Sequence, residues 1–342
     1  MRPAEPVYAC GFSSWKKPAV RGFFSGAPVV FVRSASGVPA GATLAVWGRK
    51  PVPGTLAEGV QLIRLEDGFL RSVGLGADLI RPLSWVGDRR GIYYDATVPS
   101  DLEHLLETAA FSPELLRRAK ALRERIVACG LTKYNVGRAA WHRPRGAGRV
   151  ILVPGQVESD ASLRYGAPGL RTNMGLLRAV REANPDAHVV YKPHPDVLAG
   201  LRAQGDGEAG ALAWCDEQVE DVGMDALLAG VDEVHVLTSL AGFEALLREK
   251  PVTCHGQPFY SSWGLTVDAH PVPRRRRKLA LDELAAGALL LYPRYLGRAH
   301  SQPITAEQAL DELTAWRARD GGAAPWWRKL FRIVLRQVVG VR

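Results

Sequence analysis

The chain has 342 residues, 47% hydrophobic and 23% charged, with a formal net charge of +9. That length suits two domains rather than one core, and no apolar stretch reaches the ~18 residues of a membrane span. The positive balance favours anionic partners; with no nucleic-acid motif in the chain, an anionic lipid or a phosphorylated substrate is expected and no nucleic acid.

The first half alternates short apolar runs with Gly/Pro turns. VYACGF (7–12), VVFVRS (29–34), TLAVWG (43–48) and VQLIRL (60–65) read as strands, Trp15 to Phe24 as a crossover helix, and GIYYDA (91–96) as a further strand. A long helix is predicted from Asp101 to about Cys129, with Ser100 as its cap and Glu103 completing a capping box. The Gly/Arg/Pro-rich stretch 137–148 is the candidate linker. A fresh α/β unit follows: strands at RVILVPG (149–155), HVVYKPHP (188–195), DEVHVLTS (232–239) and PVTCHG (251–256), with helices at Leu176–Ala183, Met224–Ala229 and Ala241–Arg248. Strands alternating with helices indicate parallel sheets. The fold class is therefore α/β: two Rossmann-like domains facing a central cleft, one over 1–145, one over 146–300, and C-terminal helices over 301–342.

In open α/β sheets the loops after the strands carry the ligand. Neither GxGxxG nor GxxxxGK[ST] occurs, so a dinucleotide or a P-loop nucleotide site is not expected. The four cysteines, Cys10, Cys129, Cys215 and Cys254, form no CxxC pair, which argues against zinc and disulfides and for a reducing cytosol. The N-terminus MRPAEPVYACGF lacks the apolar core of a signal peptide.

Four strand-exit loops hold polar residues. The most informative is Tyr191-Lys192-Pro193-His194-Pro195, in which two prolines fix a Lys and a His at a strand end. This is either a phosphate grip or a surface turn. Pro154-Gly155-Gln156-Val157-Glu158-Ser159-Asp160 offers carboxylates as nucleophile or base, or an ordinary acidic helix start. Thr238-Ser239-Leu240-Ala241-Gly242-Phe243-Glu244 places two hydroxyls at a helix start, where phosphates bind, with Glu244 within reach of a ribose; the plain alternative is a Ser cap. In the first half, Glu66-Asp67-Gly68-Phe69-Leu70-Arg71-Ser72 supplies two acids that could exchange a proton with an acceptor hydroxyl, or form an acidic turn. Gly74-Leu75-Gly76 would let backbone approach a ligand. GQPFYSSWGLT (256–266) either lines the cleft or packs a domain edge.

His104, His142, His188, His235, His255, His270 and His300 show no metal-ligand spacing and read as structural or surface residues. The run Arg274-Arg275-Arg276-Arg277-Lys278 reads as a solvated face or an anion holder. Near the C-terminus, Arg328, Lys329, Arg332 and Arg336 share one helical face and Trp327, Phe331, Val334 and Val338 the other, the pattern of an interfacial helix on an anionic membrane.

RLEDGFLRSVGLGADLIRPLS, GIYYDAT, LVPGQVESDAS, NPDAHVVYKPHPDV, DEVHVLTSLAGFEALL and PFYSSWGLT together resemble the KpsC/LipA family of capsular polysaccharide proteins, from about residue 7 to residue 295. The resemblance implies a β-Kdo glycosyltransferase of GT-B fold that takes CMP-Kdo and builds a poly-Kdo linker on a phosphatidylglycerol-type lipid. KpsC proteins carry two tandem modules and this chain holds one. VYACGFSSWKK and LTKYNVG are more similar to the second module, which implies a β-2,7 linkage rather than β-2,4. By motif, Lys192 and His194, with Pro195, would hold the CMP phosphate, helped by Thr238 and Ser239, with Glu244 on the ribose and Gln156, Glu158 and Arg71 completing substrate binding. Asp160 would be the nucleophile of a retaining reaction, and Glu66 or Asp67 the acid/base. Neither metal nor cofactor is required by such a site. The implied location is cytoplasmic, peripheral on the inner face of the bacterial inner membrane, alongside other capsule-assembly proteins. The rival readings are another CMP-sugar transferase of sialyl type and a non-catalytic glycolipid-binding export component.

Overall fold

Short β-branched runs closed by glycine and proline give short strands, and here they sort into two sheets. The computed structural model describes residues 4–74, 80–137, 139–299 and 301–320. In chain order, β1 (Val7–Cys10), α1 (Lys17–Phe23), β2 (Val29–Val32), β3 (Thr43–Trp47), β4 (Gln61–Asp67) and β5 (Ser84–Asp88) form the first unit. Two helices follow, α2 (Asp101–Thr108) and α3 (Pro113–Ala128). The second unit comprises β6 (Val150–Pro154), α4 (Ala161–Gly166), α5 (Asn173–Ala183), β7 (His188–Lys192), α6 (Pro195–Leu198), β8 (Glu217–Gln218), α7 (Met224–Gly230), β9 (Glu233–Val236), α8 (Leu240–Leu247), β10 (Val252–Cys254) and β11 (Val267–Asp268). The chain then runs through α9 (Leu281–Ala285), β12 (Pro293–Leu296), β13 (Pro303–Ile304) and α10 (Ala306–Asp320).

The second sheet has the order β11-β10-β9-β6-β7-β8, and every pairing in it is parallel. The first has the order β13-β12-β5-β4-β3-β1-β2. Its β2-β1-β3-β4 half is parallel, but β5, β12 and β13 join it antiparallel. Thus, after the second sheet is complete, the chain returns at residue 293 to extend the first. In each sheet the first strand of the unit lies inside the order, with later strands on both sides of it. That arrangement creates a crevice between β1 and β3 in one sheet and between β6 and β9 in the other, where open α/β sheets take ligands.

Two predicted elements and one predicted capping box come out differently. GIYYDA is a turn-rich loop, and the strand lies just before it, at β5. The Asp88 carboxylate, fully buried, accepts from Arg90 N (3.0 Å), Gly91 N (2.7 Å) and Asp101 N (2.8 Å), which bends the chain where pairing would otherwise continue. Ile92 is apolar because it is buried, not because it is paired. Gly87 lowers the strand propensity of β5 in sequence, yet Phe23 of α1 packs so closely on it that an added Cβ would lie 2.6 Å from the ring. The single long helix is two: Pro113 disfavours helical geometry at the residue before it, and Ser112 caps α3 by accepting from Leu115 N. Ser100 caps α2 as expected, accepting from Glu103 N at 3.0 Å. The Glu103 side chain does not complete a capping box; it is buried and paired with Arg274 and Arg275.

That pairing also corrects part of the reading of the arginine run as a solvated face: Arg276 and Lys278 are exposed, but Arg274, Arg275 and Arg277 are not. Arg275 donates to Glu103 at 2.9 Å and to the Pro258 and Ser261 carbonyls, and Arg277 pairs with Glu283 at 2.6 Å. These cations are internal struts between α2, α9 and the loop after β10. The four cysteines are free thiols. Among the described residues no helix is long and apolar enough to cross a membrane. Gly76, His300 and the basic helix proposed over 326–338 lie outside the described residues.

Candidate active site

A cleft of ≈ 750 Å³ opens between the carboxyl ends of the two sheets. Each sheet contributes its strand-exit loops, so residues far apart in sequence share one wall. From the first sheet come Lys16, Trp47, Glu66, Asp67 and Arg71; from the second come Gln156, Asp160, Lys192, His194, Pro195, Thr238, Ser239 and Glu244. All the sequence-selected residues except Glu158 therefore border one space. Glu158 turns to the start of α5, where its carboxylate accepts from Asn173 N at 2.7 Å.

Glu66 and Asp67 end β4. Burial, then the Asp67 charge beside it, pushes the Glu66 carboxyl up to about 8, against the pull of Lys16. A buried carboxyl with a negative neighbour holds its proton because the charged form is poorly solvated and repelled. Asp67 is engaged differently: the buried Arg71 guanidinium donates to it at 2.6 Å, and Tyr93 Oη donates to its carbonyl at 3.2 Å. Two adjacent acids thus have unlike environments. Gly48 at φ +49° lets the β3 exit pass this point, since an added Cβ would lie 2.9 Å from a Glu66 oxygen and 2.7 Å from Tyr94 Oη.

Across the cleft, Asp160 is exposed and caps α4, its Oδ1 accepting from Ser162 N at 2.8 Å. Its charge acts on Glu66, Tyr93, Tyr94, Lys133 and His194, residues that line the same cleft. Gln156, from the same loop, is inward structure. Its side-chain oxygen accepts from Thr238 N (2.9 Å), its nitrogen donates to Thr238 Oγ1 (3.0 Å), and its backbone exchanges bonds with Asn173. It clasps the β6 exit to the β9 exit at the crevice of that sheet. Gly155 makes room for the neighbouring loop, as a Cβ there would meet Tyr191 Oη at 2.7 Å.

The Lys-Pro-His-Pro loop divides its labour. Lys192 is buried, and its ammonium donates to the carbonyls of Glu220 (3.1 Å) and Val222 (2.7 Å), so two of its three donors hold the β8 exit. Burial lowers it to about 8, against Asp221 and Glu220. His194 caps α6, with Nδ1 accepting from Asp196 N at 3.1 Å, which leaves Nε2 to carry the ring proton. Burial, then the Lys133 cation, depresses it to about 3, so the ring is neutral and offers one N–H donor. Ser239 caps α8 by accepting from Ala241 N, and its carbonyl accepts from Tyr260 Oη. Glu244, pushed up to about 7 mainly by burial, accepts from Lys133 N at 2.5 Å and anchors the loop after α3. Phe259, from the aromatic segment, lines the cleft while Tyr260 and Trp263 are core, so that segment does both things expected of it.

Reasoning from sequence missed Lys16, Trp47, Lys133 and Tyr134 as cleft residues. The signal was available for Lys16: it follows β1, and an exit loop beside the crevice of a doubly wound sheet is a ligand position. Lys133 and Tyr134 lie in no strand exit; contacts with Glu244 and with the backbone of Ser72 and Gly74 bring them in.

The sequence matches the family described as capsule polysaccharide biosynthesis protein over residues 52–139 and 119–295. It is 42% identical over 313 residues to the capsule polysaccharide modification protein LipA of Neisseria meningitidis, covering 89% of this chain and 44% of LipA. It is 41% identical to the lipopolysaccharide-processing protein LpsZ of Rhizobium meliloti, covering 83% and 69%. The chain thus spans less than half the length of LipA. Among solved structures it is similar to two from Thermosulfurimonas dismutans KpsC. The β Kdo 2,7 transferase has a TM-score of 0.75, 41% identity and coverage of 91% and 99%; the β Kdo 2,4 transferase has 0.77, 34%, and 90% and 98%. The chain belongs to the capsule polysaccharide biosynthesis protein family.

Proposed function

We propose that the chain is a retaining β-Kdo glycosyltransferase of GT-B architecture that moves Kdo, an acidic eight-carbon sugar, from CMP-Kdo to a Kdo-terminated (lyso)phosphatidylglycerol glycolipid. The observation that carries this reading is the convergence of Asp160 from one sheet and the Glu66–Asp67 pair from the other on a single cleft. A double displacement needs a carboxylate nucleophile and a separate proton acceptor. In the first step an Asp160 oxygen bonds to the anomeric carbon as the bond from that carbon to the phosphate oxygen breaks, and CMP leaves with the electron pair. In the second, the acceptor hydroxyl displaces Asp160 and its proton passes to Glu66. Two inversions return the original configuration.

The leaving phosphate gathers charge as its bond breaks. The His194 Nε2–H and the free backbone N–H groups at the start of α8, both at the cleft, are fixed donors for it. Lys133 adds a cation on the same side. The β-2,7 linkage is the preferred product, on the higher identity to the 2,7 transferase, 41% against 34%. The place proposed for the chain is the cytoplasmic face of the inner membrane, where a poly-Kdo linker on lipid would be assembled with other capsule proteins.

The test is to incubate purified protein with CMP-Kdo and a synthetic Kdo-terminated lipid, to measure CMP release, and to assign the product linkage by NMR. A β-2,7-linked product is expected. Intact protein that yields neither CMP nor product would sink the reading.

A further inference from the structure

The first sheet has its own crevice, between β1 and β3, and the reaction proposed above leaves it without a role. Its walls are the loop after β1, with Ser13, Trp15 and Lys16, and the end of β3, with Trp47 and Lys50; all five border the cleft. We propose that this crevice seats the terminal sugar acid of the acceptor, with the Lys16 ammonium on its carboxylate. This inference rests on the transferase reading.

Three observations carry it. Two other basic groups of the cleft are already engaged: Arg71 holds Asp67 and Lys192 holds two carbonyls. Among the described residues no acid or carbonyl lies within hydrogen-bond distance of the Lys16 or Lys50 ammonium, and the Lys50 charge acts on Lys16. Lys16 feels the Asp67 and Glu66 charges at a distance but makes no ion pair with them, so its ammonium can take an anion directly.

Next, Lys16 is held in position. Its ammonium sits 2.9 Å from the centre of the Trp47 ring, and Trp47 is fixed edge-on by Phe12 and Trp85 at 6.2 Å and 5.4 Å between ring centres. A cation on a rigid aromatic face is preorganised and gives up little entropy on binding. Finally, Lys16 stands within electrostatic reach of Glu66 and Asp67. The acceptor hydroxyl must lie beside that acid pair, so a carboxylate on the same sugar ring arrives beside Lys16.

The experiment compares two synthetic acceptors, a Kdo-terminated lipid and its carboxyl-reduced analogue, by the ratio of their kcat/KM values. Wild type is expected to prefer the carboxylate. Lys16→Met is expected to lower that ratio by about 10- to 100-fold, the range of one charge-assisted hydrogen bond, and Lys16→Arg to keep most of it. CMP binding by each variant, measured calorimetrically, reports that the fold is intact. A ratio unchanged in Lys16→Met, or a loss equal for both acceptors, overturns the assignment; the latter would make Lys16 a counter-ion to Glu66 instead. Absence of transfer by wild type to either acceptor overturns the transferase reading as well, so the two failures are told apart.

Discussion

Glu66 offers the sharpest quantitative test, because its environment sets a number. With the carboxyl pushed up to about 8, roughly one molecule in ten is ionised at pH 7. If Glu66 takes the acceptor proton, rate follows that ionised fraction. The kcat/KM for the acceptor should then rise close to tenfold between about pH 6 and pH 7 and level off above about 8. Glu66→Gln should abolish the limb and cost about 10²- to 10⁴-fold in rate. Asp67→Asn tests the cause. It removes the negative neighbour that helps to raise Glu66 and leaves the Arg71 cation without its partner, so both changes favour the Glu66 carboxylate. The limb should move down by about one pH unit. CMP release is followed from pH 5.5 to 9.5 with saturating donor and varied acceptor. A profile flat from pH 6 to 9, with Glu66→Gln still turning over, would refute the assignment and pass the role to Asp67.

Four further outcomes are expected. Asp160→Ala should lose turnover while its melting temperature stays within a few degrees, since its α4 cap is worth only about 1 kcal/mol; intact-mass analysis of wild type with CMP-Kdo alone should show a Kdo adduct that the variant lacks. His194→Ala should lower kcat by about 100-fold with little pH dependence between 6 and 9, because a ring held near 3 is neutral across that window. Asp88→Ala should cost about 3 kcal/mol in urea unfolding, as it strands three backbone donors and the Tyr292 hydroxyl (2.9 Å) in the core. Stability should also fall as pH rises from the ordinary carboxyl value of 4.5 toward 7 and 8: Glu244 and Glu66 keep protons in the folded state that the unfolded chain has released. The urea midpoint should therefore drop across that window and flatten in the doubly substituted Glu66→Gln/Glu244→Gln protein.

Most of the parallel core was legible, since β1, β2, β3, β4, β6, β7, β9 and β10 each combine a β-branched run with a turn-forming exit. The strands that escaped had lost that signature for a physical reason. β5 carries a glycine demanded by Phe23 and an aspartate demanded by the turn after it, both poor strand formers. β12 begins with proline and pairs antiparallel with a strand over 200 residues earlier, a partnership that no local pattern encodes. The site was legible to the extent that it lies on strand exits. What could not be read was which polar residues face the cleft and which hold the loops: Gln156 and Glu158 look like substrate-binding residues in sequence, and their side chains clasp neighbouring loops.

Charge was the least transferable signal, and the reason bears on how the site works. In the conspicuous arginine run Arg274, Arg275 and Arg277 are consumed by Glu103 and Glu283, and the lysine of the Lys-Pro-His-Pro loop by main-chain carbonyls. A buried cation must find partners, because an uncompensated one costs several kcal/mol. The fold therefore meets that need internally wherever packing permits. What remains for ligands is the residue of that accounting: a neutral His194 donor, the Lys133 and Arg202 cations, and Lys16 with Lys50 at the other crevice. In the proposed reaction this divides the cleft into a second-sheet side that would stabilise a leaving phosphate with one fixed dipole and the Lys133 cation, and a first-sheet side that holds Lys16 and Lys50 near a protonated acid. An acceptor carboxylate entering the first-sheet side would neutralise Lys16 and withdraw its stabilisation of the Glu66 anion. Acceptor binding should then push Glu66 further up and make the base stronger at the moment it is needed. The pH limb of kcat, measured with acceptor saturating, is expected to lie above that of kcat/KM by up to about one unit. Coincident limbs would show that the carboxylate does not reach Lys16.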